Sequence, residues 1–288
     1  MKRSILSAFA LSCALSTAAF AEVTGKVTFD GPAPARKPVA GLGTDPNCGK
    51  LHKAPVLDEA VVVGKGGELA NVVVSLKGDL KGAAPADEVV LDQQGCMYVP
   101  HVVSVTVGQK LVAANSDPFL HNVHSLPENN PPKNVAQPVK GQKDVIPTKA
   151  AETFKVKCDV HPWMAAWVAV FDHPFHSVTG EDGVFSIDTK GLKDGEYEVA
   201  LWHEKFKDCG SGKVTVKDGK GTFDFKVKPK TAAAATATDG TVLVSAEPTV
   251  KGPSCCTDGS KCGLKAGETV KADDAAKPAE AAKVVALK

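Results

Sequence analysis

From residue 22 to about residue 229 the chain is written in short β-branched runs, 61–63, 72–76, 102–107 and 167–171 among them, separated by Gly, Pro, Asn and Asp. Runs of this length closed by turn-forming residues read as strands, and their spacing suits an all-β sandwich better than alternating βα units. No apolar stripe of helical period interrupts them. Beyond residue 230 the chain turns to Thr, Ala, Lys and Glu with few large apolar side chains. Such a segment buries too little to offset its ordering entropy, so residues 230–288 are expected to form a disordered tail. Within it Cys255, Cys256 and Cys262 stand close together, a cluster that fits either disulfides or a loose metal site.

The opposite end reads as an export signal. A basic start, Lys2 and Arg3, leads into an apolar run over 4–20 that closes on Ala19, Phe20 and Ala21, so residues 1–21 are expected to be cleaved. That run is too short to span a bilayer comfortably, and no later segment approaches the required length. The mature chain is therefore expected in the periplasm or secreted, without a membrane span. The 34 basic against 33 acidic residues leave a charge of +1, which gives no reason to expect a nucleic-acid partner. Of the eight cysteines Cys13 leaves with the signal, and an odd number, seven, remains where disulfides form. At least one thiol must then have another use.

Cys158 is that thiol. In KCDVHPWM, Cys158, His161 and Met164 fall three residues apart, after a strand over 153–157 and before another over 167–171. A tight loop between strands lets such side chains converge. Thiolate, imidazole and thioether are donors that copper accepts in both oxidation states. Only three Met occur, Met1 included, so a chance Met164 at this spacing is a poor explanation. Structural zinc uses closed Cys/His sets without thioether. A dinuclear copper centre needs a second loop cysteine, and Phe154 and Pro162 stand where it would be. A fourth donor comes from NSDPFLHNVHS, where strand alternation allows only one of His121 and His124 to face the metal; His121 is preferred. His52 and His203 read as surface or core residues, and nothing in the spacing of His101, His173 or His176 compels a place at the site.

Residues 115–164 resemble the cupredoxin family, with the loop spacing of amicyanin and plastocyanin. The resemblance implies a cupredoxin-like β-sandwich holding one type 1 copper by His121, Cys158, His161 and Met164, with the backbone N–H of Asn122 on the thiolate. It also implies one-electron exchange with redox proteins such as a cytochrome or a copper or quinone oxidoreductase. Docking would use an apolar patch of Pro118, Phe119, Leu120, Pro162 and Trp163. The polar excursion over 125–142 departs from the family pattern. Residues 23–33, 71–77 and 178–201 resemble a carboxypeptidase regulatory-like sandwich, so the expected layout is a first outer part over 22–85, a copper domain over 86–172 inserted into it, and a second outer part over 173–229. Cys48 and Cys96, each beside Gly in a turn-like context, are expected to form a disulfide. The chain is expected to be a monomer and no enzyme. The alternatives are a copper storage or delivery protein without redox turnover and a structural or adhesive sandwich without metal.

Overall fold

The computed structural model describes residues 21–228. Cys13 with most of the expected signal, and the tail cluster Cys255, Cys256 and Cys262, lie outside them. The described residues carry strands and two short 3-10 turns, arranged in four sheets.

Two sheets draw only on the middle of the chain. One runs Val102–Thr106, Ala165–Phe171, Glu152–Lys157, His121–Leu126 and Asn134–Gln137 in spatial order; the other runs Met97–Val99, Val89–Gln94, Leu111–Asn115 and Lys143–Ile146. Their inner faces meet in one core, to which the first gives Val103, Val123, Phe154, Val156 and Val168 and the second Leu91, Tyr98, Leu111 and Ile146. Period-two alternation makes this possible: Phe154 and Val156 are buried while Thr153 and Lys155, which alternate with them, are exposed. Burying a side chain the size of Phe154 contributes about 1.5–3 kcal/mol.

The other two sheets combine both flanks. Glu22–Phe29 pairs antiparallel with Val184–Asp188 and parallel with Gly221–Thr222 and Phe225–Val227. Val73–Lys77 lies between His176–Val178 and Gly195–His203, which pairs in turn with Lys207–Val216. Their shared core contains Val27, Val74 and Leu76 from before the middle segment, and Phe185, Ile187, Val199 and Leu201 from after it. Two glycines permit close approaches there. A Cβ on Gly25 would lie 1.7 Å from the Phe223 carbonyl oxygen, and Gly183, at φ +71°, would place one 2.5 Å from that of Val27. A third small cluster, Val73, Val102 and Ala169 with Trp167 and Trp202 against it, joins the two cores.

One expected strand is absent. Residues 61–63 form only an isolated bridge, Val63 to Leu69, because the glycine-rich turn after them brings the chain straight back, with Gly67 N–H on the Gly64 carbonyl.

Candidate metal centre

The loop after Glu152–Lys157 is closed by its own backbone. Cys158 N–H donates to the Met164 carbonyl at 3.2 Å and Met164 N–H to the His161 carbonyl at 3.0 Å. This turn brings Cys158 and His161 together, with the His161 N–H on Cys158 Sγ at 3.4 Å. The neighbouring strand brings His121. Its Nδ1 lies 3.0 Å from His161 Nδ1, which is 3.8 Å from Cys158 Sγ. All three ligand atoms fall within 4.8 Å of one another, and the residues are buried, at 0 %, 6 % and 2 % exposure for His121, His161 and Cys158. Met164 is fully buried in the same core. Tyr98 ties the two ligand-bearing strands, its hydroxyl donating to the Asn122 and Lys157 carbonyls at 2.7 and 3.2 Å.

The electrostatics favour a cation among these atoms. Burial pushes the Cys158 thiol up, but hydrogen bonds from His121 and from the N–H groups of His161, Asn122 and Val160 outweigh it and leave the thiol below its ordinary value. Burial and then the charge of His121 push His161 down, keeping its lone pair free. For His121 burial works downward, yet the Asp117 carboxylate and Cys158 outweigh it and hold the imidazole above its ordinary value. Two ring nitrogens at 3.0 Å need a proton between them, and a metal ion would displace that proton. Two imidazoles and a thiolate-prone sulfur in a buried site are a donor set that fits copper.

Asp117 escaped the sequence reading, although it stands one helical turn's spacing before His121 in NSDPFLH. Its carboxylate is 4 % exposed and accepts from His121 Nε2 at 2.9 Å and from the Gly95 and Cys96 N–H groups, each at 2.8 Å. It therefore orients the imidazole from behind, as a carboxylate commonly does for a metal-ligating histidine. His124 points elsewhere and pairs at the surface with Asp159 at 2.8 Å. His52 holds the Gly95 carbonyl, His101 faces Glu204 at 3.4 Å, and His176 bonds Ser104 and Thr106. Burial lowers His176 and His203 to about 4. None of these joins His121, Cys158 and His161 among the described residues.

A segment over 37–58 closes over the loop. Its ends pair through Val39 N–H to Val56 and Asp58 N–H to Lys37. Between them Leu42 enters the inner core, Cys48 is bridged to Cys96, and Gly41 packs on the Trp163 ring. Trp163 Nε1–H donates to the Cys96 carbonyl at 3.0 Å. Of the expected docking patch, Pro118, Leu120 and Pro162 are exposed and Phe119 and Trp163 half-buried. His161 is 6 % exposed, and its ring packs on Trp163 at 5.2 Å between centroids.

No family model matches the chain, and no curated protein matches it. Among solved structures it is similar to amicyanin from Paracoccus versutus, at 21 % identity over 34 % of this chain and 96 % of that one, with a TM-score of 0.27. A purple cupredoxin from Nitrosopumilus maritimus matches at 21 % identity over 30 % of this chain and 99 % of that one, TM-score 0.26. A copper-containing nitrite reductase from Thermus scotoductus matches at 19 % identity over 34 % of this chain, TM-score 0.27, and the match spans 25 % of the reductase.

Proposed function

We propose that this chain is a type 1 blue-copper protein that carries single electrons between redox partners in an exported compartment, with His121, Cys158, His161 and Met164 as ligands. The observation that carries this reading is the convergence of His121 Nδ1, His161 Nδ1 and Cys158 Sγ in a buried pocket. Copper would supply a one-electron couple that this soft and borderline donor set tolerates in both states. The chain's part is to hold the donors still. Asp117 fixes the His121 ring, the N–H groups of Asn122 and His161 steady the sulfur, and the 158–164 turn fixes His161 and Met164. A site so fixed changes little when its charge changes, which suits a carrier.

Burial also favours a carrier over an enzyme, because His121, Cys158 and His161 are all buried, whereas a catalytic metal keeps a position open to substrate. The way out for an electron is His161 and the half-buried Trp163 ring packed on it, with the exposed Pro118, Leu120 and Pro162 as the docking patch. Redox partners docking there would meet a small interface. We read the inner sandwich as an insertion into the outer one, supported by an outer core that takes residues from both sides of it.

The test is the visible spectrum of the copper-loaded protein. An intense thiolate-to-copper band in the native protein, lost in Cys158→Ser while the fold persists, supports the reading; a colourless native protein or a band that survives the substitution defeats it.

A further inference from the structure

The disulfide lies directly against the proposed ligands. Cys48 Sγ, Cys96 Sγ and a His161 ring nitrogen fall within 4.8 Å of one another, and Cys96 Sγ, an Asp117 oxygen and a His121 nitrogen do the same. Both cysteines are fully buried. Each is also held by contacts that do not depend on the S–S bond. Cys48 N–H donates to Asp45 at 2.8 Å and Cys96 N–H to Asp117 at 2.8 Å, while the Cys96 carbonyl accepts from Trp163. Leu42, seated in the core, fixes the segment that carries Cys48.

We propose that reduction of Cys48–Cys96 creates a second metal site beside the first, in which two thiolates and His161 hold a thiophilic d10 ion such as Cd(II), Zn(II) or Cu(I). The disulfide takes two electrons and two protons from a dithiol, which becomes a cyclic disulfide. Each new thiol then gives its proton to solvent as its sulfur bonds the metal. In the oxidised protein the sulfurs are bonded to each other and have no thiolate to offer, so the site exists in one redox state only. Thiolates with an imidazole are the donors that zinc and cuprous ions prefer. The Asp45 and Asp117 carboxylates beside the two cysteines add negative charge that favours a cation there. Because His161 belongs to both groups of donors, filling the second site draws on the imidazole of the first. The inference goes beyond the blue-copper reading and does not need the first site to hold copper.

The test compares full-length Cys158→Ser with full-length Cys48→Ser/Cys96→Ser/Cys158→Ser, so that the first site lacks its thiolate in both and Cys209 and the tail cysteines are common to both. Each is treated with dithiothreitol, freed of it without air, and titrated with Cd(II) while the thiolate-to-cadmium absorption and the near-ultraviolet circular dichroism are recorded. The reduced single variant is expected to bind one Cd(II) more than the triple variant, and the unreduced pair to bind alike. Adding His161→Ala to the single variant is expected to weaken that extra ion about tenfold or more, at least the loss seen for an outer partner of a ligand. Equal stoichiometry after reduction, or no effect of His161→Ala, overturns the proposal. So does a reduced single variant whose near-ultraviolet signal has gone and does not return with Cd(II).

Discussion

Asp117→Asn isolates the group that holds His121 from behind. The carboxylate accepts three hydrogen bonds, one on Oδ1 from Gly95 and two on Oδ2 from Cys96 and His121. An Asn carbonyl placed at Oδ2 keeps two of them, but its NH2 then faces the Gly95 N–H, donor to donor. One bond to a charged acceptor is lost, a cost of about 1.5–3 kcal/mol in the copper-free protein. The cost should depend on pH. Burial raises the Asp117 carboxyl, but its bonds to His121, Cys96 and Gly95 outweigh that and leave it below 3.8; its contribution is therefore complete above 3.8 and is lost as pH falls through the lower folded value. His121 stands above 6.5, so the imidazolium partner contributes fully below 6.5 and is lost as pH rises through the higher folded value. The penalty of Asp117→Asn is thus greatest between 3.8 and 6.5 and smaller on both sides. Urea unfolding of both copper-free proteins, followed by Trp fluorescence across that range, measures it. A penalty below about 0.5 kcal/mol, the scatter of neutral surface changes, or one independent of pH would show that Asp117 does not hold His121 in this way.

Met164→Gln should keep copper bound and shift the reduction potential, since a weak axial donor tunes the ion more than it holds it; copper loss on dialysis would contradict this. His124→Ala should leave the absorption band intact, because its partner Asp159 is at the surface, and should cost under about 1 kcal/mol. Deleting residues 1–80 removes Glu22–Phe29 and Val73–Lys77, the strands on which Val184–Asp188 and Gly195–His203 pair. Limited proteolysis of the shortened chain should then digest the region after residue 173; a protected 173–228 would count against a shared outer core.

What the sequence made legible was local. The three-residue spacing of Cys158, His161 and Met164 marked the loop, and short strand-like runs marked its flanks, expected over 153–157 and 167–171 and found at Glu152–Lys157 and Ala165–Phe171. Alternation likewise separated His121, fully buried, from half-exposed His124. Hidden features depended on contacts between distant residues. Asp117 owes its place to the N–H groups of Gly95 and Cys96, which no local pattern announces. The 37–58 segment has no strand period, and its hold on the loop comes from Leu42 in the core, Gly41 on Trp163 and the bridge from Cys48. Residues 61–63 misled because β-branched composition alone cannot show that the next turn folds straight back.

The most direct measurement is X-ray absorption at the copper edge of the loaded, full-length protein in its oxidised and reduced states. Two imidazole nitrogens and one short sulfur bond are expected in both, with little change between them, as His121, His161 and Cys158 are already gathered and fixed. Copper bound by nitrogen and oxygen alone, or a ligand set that changes between the two states, would contradict this.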